Sequence, residues 1–286
     1  MSDIDFAADI TRKSKTNFMM SFAMLPEDKR DAIHTVYAFC RCTDDIVDED
    51  GDKATKSARL QRWTEELERG FRNESEHQLL NKLSVIAERF NIPAVHFFDL
   101  IHGMTMDLEK NRYDTFDDLY EYCYHVASTV GLMCSEIFGY KNDRTRNYAV
   151  DLGIALQLTN IVRDVKDDAL IGRIYIPLED FERFGYGTDQ LLRSEYNEAF
   201  VRLMRFETGR ARTFYAQARA SLAEEDHGAF FAARIMDRIY SRILDKIERK
   251  NFALFGERIS ISGFSKFRIA ASEYLSRAPL QYASSL

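Results

Sequence analysis

Two groups of acidic residues have the spacing of ligands on a helix. Asp44 and Asp48 are four residues apart, and Asn160, Asp164 and Asp168 repeat that interval. Side chains four residues apart lie on one face of an α-helix, about 6 Å apart along its axis. Mg²⁺ prefers oxygen ligands and often binds one or two carboxylates together with waters and substrate phosphate oxygens. The spacing therefore indicates two helices that hold a metal-bridged diphosphate between them across a cavity.

Two arginines and one amide strengthen this interpretation. Arg41 and Arg163 each stand just before one acidic group, where a guanidinium could contact phosphate through two hydrogen bonds. Either acidic group alone is more often a solvent-exposed helix face, because charged side chains usually lie outside. Asn160, however, lies inside the apolar run LGIALQLTNIV, and a buried amide needs a partner. The two groups together therefore favour a metal site.

Helices must position these residues, because the composition is that of a helical protein. Only 4 Pro and 13 Gly interrupt a chain rich in helix formers. Apolar positions recur near helical spacing in the segment 32–50, and the segment 148–177 starts apolar and turns acidic on one face before Gly172. The run 119–139 is apolar on nearly all sides and predicts a central, buried helix. Two helices are predicted between residues 16 and 50, with Pro26 at or near the first turn of the second, and further helices are predicted at 63–71, 79–90, 94–110, 195–224 and 228–252.

Composition also limits the organisation and the partners of the chain. No repeat or linker divides the 286 residues, so we expect one all-α domain from residue 1 to 286. The net charge is −7, and no basic cluster is interleaved with aromatics, so nucleic acid is not an expected partner. The absence of a signal-like start and of 18 consecutive apolar residues predicts a cytoplasmic protein. Four cysteines without metal-type or CxxC pairing are expected to be free thiols: Cys40, Cys42, Cys123 and Cys134.

Five ordered blocks of the sequence resemble the squalene/phytoene synthase family, and the resemblance covers nearly all of the chain. The blocks are LPEDKR (25–30), VYAFCRCTDDIVDE (36–49), YCYHVASTVGLM (122–133), LGIALQLTNIVRDVKDD (152–168) and GRIYIP (172–177). The resemblance implies the all-α isoprenoid synthase fold, a helical bundle around a central apolar cavity. It also implies an Mg²⁺-dependent transferase that joins two allylic prenyl diphosphates head to head through a cyclopropylcarbinyl diphosphate.

The same resemblance implies roles for individual residues. The metal-binding set maps to Asp44, Asp48, Asn160, Asp164 and Asp168. Pocket or diphosphate contacts map to Tyr37, Arg41, Tyr124, Gln157, Arg163 and Tyr240, of which Tyr124 is placed in the catalytic set. Ser128 departs from the family pattern, which often has Gly there, and this departure leaves the local helix packing open. A more basic end of the chain could approach the diphosphate, although isolated surface cations are the commoner interpretation. Its cations are Arg258, Lys266 and Arg268.

The length of the prenyl chain is predicted from two aromatic residues. Phe18 and Phe22 are four residues apart and could form the floor of an apolar tunnel or belong to the ordinary core. As a hypothesis, two rings there favour farnesyl over the longer geranylgeranyl chain. We therefore expect two farnesyl diphosphates to yield presqualene diphosphate or a squalene-type product, with phytoene from two geranylgeranyl diphosphates as the alternative. No GxGxxG follows a strand, so the pattern predicts no NADPH site, although a family member can bind NADPH without one.

Two other classes of protein share features with this sequence. A terpene cyclase would fit the DDxxD spacing at Asp44–Asp48, but cyclases typically have Ser or Thr and then Glu where this chain has Asp164 and Asp168. A non-catalytic scaffold on the same fold would be expected to lose its acidic ligands. Because the expected products are very apolar, transient association with a membrane surface is expected as well. The sequence predicts no oligomeric state.

Overall fold

The computed structural model describes residues 21–276, and within this range the chain is built from helices. Pairing between extended segments is limited there to one isolated bridge between Arg112 and Ile174, so the all-α prediction is confirmed. The helices are α1 (Glu27–Asp48), α2 (Lys53–Gly70), α3 (Gln78–Phe90), α4 (Val95–Glu109), α5 (Phe116–Cys123), α6 (Thr129–Phe138), α7 (Thr145–Leu170), α8 (Leu178–Phe184), α9 (Thr188–Leu192), α10 (Glu198–Ser221), α11 (Phe231–Arg249) and α12 (Gly263–Ser276). A π-helical turn spans Tyr124–Ser128, and a 3₁₀ turn spans Glu224–Asp226.

Local sequence signals explain where several helices begin and end. The side chains of Asp52, Thr115 and Asn197 accept hydrogen bonds from the free backbone N–H groups at the starts of α2, α5 and α10. Pro26 immediately precedes α1, where its missing N–H is no loss. Asn91 ends α3 in the left-handed conformation, with φ of 53°. These polar caps account for boundaries that apolar periodicity alone leaves open.

One apolar core joins the helices. It extends without interruption from Phe22 to Ala270 and includes side chains from both halves of the chain, so residues 21–276 fold as one unit. The ends of the predicted 1–286 domain lie outside the described residues, and so does Phe18. All four cysteines are free.

The predicted central helix at 119–139 is interrupted by the π-helical turn at Tyr124–Ser128. Such a turn adds one residue to the helical repeat and redirects the side chains on either side of it. Ser128 is fully buried there, and its hydroxyl donates a hydrogen bond to the carbonyl oxygen of Val150 at 2.8 Å. A Cβ atom on Gly153 would lie 2.6 Å from the Cα of Ser128. The close approach of α7 is therefore permitted by Gly153, which resolves the packing question that Ser128 raised.

This contact predicts a marked cost for a single methyl group. Gly153→Ala is expected to destabilise the protein by about 2–3 kcal/mol, because the new Cβ meets backbone atoms that cannot yield easily. Gly209→Ala is the matched control, since Gly209 lies on the exposed side of α10 and a Cβ added there would meet no other atom within 4 Å. That control is expected to gain about 0.4–1 kcal/mol. Urea unfolding followed by circular dichroism measures both; equal stabilities of the two variants would contradict the packing argument.

Candidate active site

A cavity of about 380 Å³ lies between α1, α4, α6, α7 and α11. Its walls are mainly apolar and include Leu100, Met104, Leu152 and Met236. Polar side chains are gathered where α1 and α7 approach their acidic ends. These polar lining residues are Tyr37, Arg41, Asp44, Gln157, Asn160 and Tyr240. The structure therefore brings these six sequence-predicted site residues, together with the predicted Phe22, to one cavity.

The opposite end of the cavity is a floor of aromatic rings. Phe22, Phe138, Tyr148 and Phe230 line it and are all less than 5% exposed. The Phe230 ring lies 5.5 Å from the Phe138 ring and 5.8 Å from the Tyr148 ring. These three rings come from the end of α6, the start of α7 and the residue before α11. Sequence analysis identified only Phe22, because nothing in the local pattern distinguishes the other three from ordinary core residues.

The first acidic group is held by arginines. Arg41 donates a hydrogen bond to Asp44 at 2.7 Å and pairs with Asp45 at 2.6 Å. Asp48 lies farther out and pairs with Arg173 at 3.5 Å. Arg173 belongs to the block GRIYIP but was not predicted as a site residue. The two carboxylates of the predicted DDxxD group therefore face different guanidinium groups.

The second acidic group has a denser set of ion pairs. Arg163 and Arg258 each place two nitrogens on the carboxylate of Asp164, with Nε to Oδ1 distances of 2.8 and 2.7 Å. Burial opposes ionisation of this carboxyl, but the hydrogen bonds from Arg163 and Arg258 lower the pKa of Asp164. Arg258 is thus part of the site, and the interpretation of this residue as an isolated surface cation is wrong. Lys266 and Arg268 lie on α12, outside the cavity lining.

Asp107, near the end of α4, is a third acidic element that sequence analysis missed. Its carboxylate accepts hydrogen bonds from the hydroxyl groups of Tyr122 at 3.0 Å and Tyr175 at 2.8 Å. Burial is the main cause of the raised pKa of Asp44 and of Asp168, and the negative charge of Asp107 adds to both shifts, so Asp107 lies near both groups. Asp107 stands near the C-terminal end of its helix, as Asp44 and Asp168 do, but no carboxylate four residues before or after it marks it in the sequence.

Three carboxyl groups near the mouth of the cavity have raised pKa values. Burial, and then the nearby charge of Asp48, raises the pKa of Asp44 to about 6. Burial, and then Asp164, raises the pKa of Asp168 to about 7. Burial is also the main reason that the pKa of Asp107 is raised. A cation bound nearby would stabilise the ionised form of these carboxyl groups and lower their pKa values.

These residues fit a divalent cation that shares its ligands with phosphate. Among residues 21–276, no three His, Cys, Asp or Glu side chains converge to hold a metal ion by themselves. Mg²⁺ does not require such a cage, because waters and substrate phosphate oxygens can complete its shell. The Oδ1 atom of Asn160 is buried without a hydrogen-bond partner, while its Nδ2 atom donates to Gln157 at 3.3 Å. An acceptor oxygen of that kind is available to a cation.

Among residues 21–276, Tyr124 is one of the predicted site residues that do not line the cavity; the others are Asp48, Arg163, Asp164 and Asp168, toward the acidic ends of α1 and α7. Tyr124 begins the π-helical turn, and its ring packs 5.6 Å from the ring of His125, while Val126 and Ala127 line the cavity instead. The extra residue of the π turn redirects this stretch, which sequence periodicity could not show. The catalytic role of Tyr124 stays a prediction.

The fold and site define a class of helical enzymes that process prenyl diphosphates. The sequence model of the squalene/phytoene synthase family matches residues 11–265, and this chain belongs to that family. It is similar to the 15-cis-phytoene synthase of Synechococcus elongatus, with 36% identity over 269 residues that cover 90% of this chain and 87% of the relative. Head-to-head coupling of prenyl diphosphates is the family's reaction, and the protein is a prenyltransferase.

Solved structures agree with this assignment. A dehydrosqualene synthase in complex with ligand superposes with a TM-score of 0.84 at 30% identity, covering 96% of this chain and 97% of that chain. The squalene synthase HpnC from Alicyclobacillus acidocaldarius superposes with a TM-score of 0.80 at 30% identity, covering 87% and 94%. The predicted isoprenoid synthase fold is therefore confirmed.

The raised pKa of Asp168 predicts a gain of stability when its charge is removed. Because the folded-state pKa of about 7 exceeds the ordinary 3.8, the carboxyl lowers stability increasingly as the pH rises from about 4 to about 7. Asp168→Asn is expected to raise Tm by about 2–4 °C in metal-free buffer at neutral pH, with the gain shrinking toward pH 4. Glu88→Gln, at an exposed carboxylate on α3, is the control and should leave Tm unchanged. Calorimetry across pH tests this, and an unaltered Tm of Asp168→Asn at neutral pH contradicts it.

Proposed function

We propose that this protein couples two geranylgeranyl diphosphates head to head to form a phytoene-type product. The main support is the similarity to a 15-cis-phytoene synthase at 36% identity across nine-tenths of the chain. The expectation of two farnesyl diphosphates rested on Phe18 and Phe22, and it is less well supported than this alternative. Phe18 lies outside the described residues, and Phe22 is one of several rings in the cavity floor.

The depth of the cavity supports the longer chain. Asn160 at the mouth and Tyr148 at the floor lie on the same helix, about 18 Å apart at roughly 1.5 Å per residue. An extended isoprene unit contains four carbon–carbon bonds of about 1.5 Å and spans roughly 5 Å. A fifteen-carbon chain would then reach about 15 Å, and a slightly bent twenty-carbon chain would fill the depth. The aromatic floor would stop anything longer.

In this proposal the charged mouth binds the diphosphate groups. Phosphate oxygens would be contacted by Arg41, Arg163 and Arg258. Each of these arginines would give up one or more of its present hydrogen bonds to a carboxylate. Asp44, Asp48, Asp164 and Asp168, with the free oxygen of Asn160, would hold Mg²⁺, as the sequence predicted. When bound, Mg²⁺ would neutralise the charge that develops on the departing diphosphate. The exchange is favourable because each arginine replaces a carboxylate oxygen with a phosphate oxygen. The carboxylates that are released would pair with Mg²⁺ instead.

The cavity walls would protect the reacting carbons. Loss of diphosphate from the first substrate leaves an allylic cation, and the apolar lining excludes the water that would quench it. Tyr37 and Tyr240, which line the cavity, can stabilise positive charge through their ring faces. The double bond of the second substrate then attacks, and loss of a proton closes the cyclopropane ring. Released diphosphate or a tyrosine would accept that proton.

A squalene-type reaction with two farnesyl diphosphates is the second candidate. Two observations favour it: the Phe22 ring narrows the floor, and the similar solved structures are a dehydrosqualene synthase and a squalene synthase. Both candidates share the cation chemistry and differ in chain length and in later steps. Only the product distinguishes them.

The product assay therefore decides the substrate. Purified protein with Mg²⁺ and geranylgeranyl diphosphate is expected to form a forty-carbon, phytoene-type hydrocarbon without NADPH. Farnesyl diphosphate should be used with a kcat/KM at least about tenfold lower, because a short chain leaves part of the apolar depth unfilled. Mass spectrometry of the extracted lipid, with and without NADPH, measures both. Exclusive formation of a thirty-carbon product would overturn the proposal in favour of the second candidate.

The two acidic groups are predicted to be jointly required. Asp48→Ala and Asp164→Ala should each lower turnover by more than about a hundredfold, since each removes charge compensation at the departing diphosphate. Both variants should keep the helical circular dichroism spectrum, because these carboxylates lie at the mouth and not in the apolar core. Asp167→Ala, an exposed substitution on the same helix, serves as the control. Near-wild-type turnover in both test variants would exclude the two-group mechanism.

A further inference from the structure

The last described helix, α12, turns an apolar face to solvent. Phe264 is 71% exposed, Phe267 61% and Leu275 75%, and Tyr274 is nearly half exposed. At 100° per residue these side chains fall on one side of the helix, together with Ala271. An ordinary surface helix shows the reverse pattern, with its apolar side buried and its polar side exposed. We call Phe264, Phe267, Ala271, Tyr274 and Leu275 the α12 stripe.

The inner side of α12 already has its partners. Ile269 and Ala270 are buried, and Glu273 is only 3% exposed and pairs with Arg234 at 2.9 Å and with Arg238. Most of the packing of α12 onto α11 thus uses the side opposite to the stripe, although Tyr274 also contacts α11 through the Phe231 ring. Phe264, Phe267 and Leu275 are therefore the part of the stripe that is mostly exposed to solvent.

The charge of α12 differs in sign from that of the whole chain. The chain has a net charge of −7, whereas α12 carries Lys266 and an exposed Arg268, and its single carboxylate, Glu273, is buried in ion pairs. Arg268 lies at the edge of the α12 stripe. A helix that exposes Phe and Leu beside Lys or Arg has the composition of interfacial membrane helices. Its positive charge complements anionic lipid headgroups.

The position of α12 relates the stripe to the cavity. Arg258, which contacts Asp164 at the mouth, lies in the short loop that leads into α12. Lys246, near the end of α11, donates a hydrogen bond to the carbonyl oxygen of Ser260 in that loop. The far end of α12 returns to the start of α11, where the Tyr274 ring lies 6.3 Å from the Phe231 ring. The stripe therefore begins six residues after an arginine that contacts the mouth, on a helix that packs against the cavity-lining α11.

We propose that the α12 stripe docks the protein on the surface of an anionic lipid bilayer. The inference rests on the proposed function to the extent that prenyl diphosphates and their coupled hydrocarbons partition into lipid. Docking by α12 would hold the mouth beside the layer that contains these molecules. Among residues 21–276, no helix is long and apolar enough to span a membrane, so the contact is made by partial insertion of side chains at the interface.

Vesicle sedimentation without substrate tests the docking. Full-length protein is mixed with vesicles of phosphatidylcholine and phosphatidylglycerol, or of phosphatidylcholine alone. Wild type is expected to sediment with the anionic vesicles, and Phe264→Ser/Phe267→Ser is expected to bind at least about tenfold more weakly, because most of the inserted apolar area is lost. Arg268→Glu should weaken binding to anionic vesicles only.

A matched control removes equally exposed apolar residues elsewhere. Val85 on α3 is 58% exposed and Val95 on α4 is 54% exposed, so Val85→Ser/Val95→Ser should bind vesicles like wild type. Wild type that stays in the supernatant, or equal binding by both double variants, would overturn the proposal. So would a wild-type dimer that Phe264→Ser/Phe267→Ser converts to monomer in analytical ultracentrifugation, since a second copy would then cover the stripe.

A separate assay keeps docking distinct from catalysis. With substrate dispersed in detergent, Phe264→Ser/Phe267→Ser should keep its kcat/KM within about twofold of wild type, because the stripe lies outside the cavity. A comparable loss of activity in detergent and with vesicles would show that the two rings support the fold or the site, and not the docking. If neither wild type nor the variants form product in detergent, the proposed function is refuted, and the vesicle-binding result is unaffected.

Discussion

The burial of like charges at one end of an apolar cavity is the constraint around which this structure is built. Asp44, Asp107 and Asp168 come from three different helices, and burial, together with repulsion from nearby carboxylates, raises the pKa of each. Such an arrangement is unfavourable for folding and persists only if the surrounding core is large enough to hold it. The continuous apolar core from Phe22 to Ala270 fulfils that condition. The same packing leaves the acidic ends of the helices beside one another.

The arginines at the mouth make this arrangement tolerable before any substrate binds. Arg163 and Arg258 each contact Asp164 through two nitrogens and neutralise its charge. Asp168, in the same acidic group, lacks this compensation, and its pKa is raised to about 7. When a diphosphate binds together with its cation, the arginines can pair with phosphate oxygens and the carboxylates with the cation. Positive and negative charge then enter the cavity together. The site is therefore suited to a diphosphate that binds together with its cation, and it is unfavourable for a bare anion.

Sequence reasoning predicted the parts of the site that depend on helical repetition. Four-residue spacing identified Asp44, Asp48, Asn160, Asp164 and Asp168, because a straight helix converts spacing into a common face. It missed Asp107, Arg173 and the role of Arg258, whose positions depend on how distant segments pack. Tyr124 does not line the cavity, because a π-helical turn changes the repeat locally, and its catalytic role stays a prediction. The floor rings Phe138, Tyr148 and Phe230 were invisible for a similar reason, since each comes from the end of a different element.

The contact between Ser128 and Gly153 has a consequence for how this protein can vary. A Cβ atom at position 153 would meet backbone atoms of Ala127 and Ser128, whatever side chain position 128 carries. Position 153 is therefore expected to stay glycine among related chains, whereas position 128 can change as long as the acceptor of its hydroxyl, the Val150 carbonyl, finds another partner. Because Ser128 closes the π-helical turn and Gly153 lines the cavity, this close backbone contact also fixes the width of the cavity at that point.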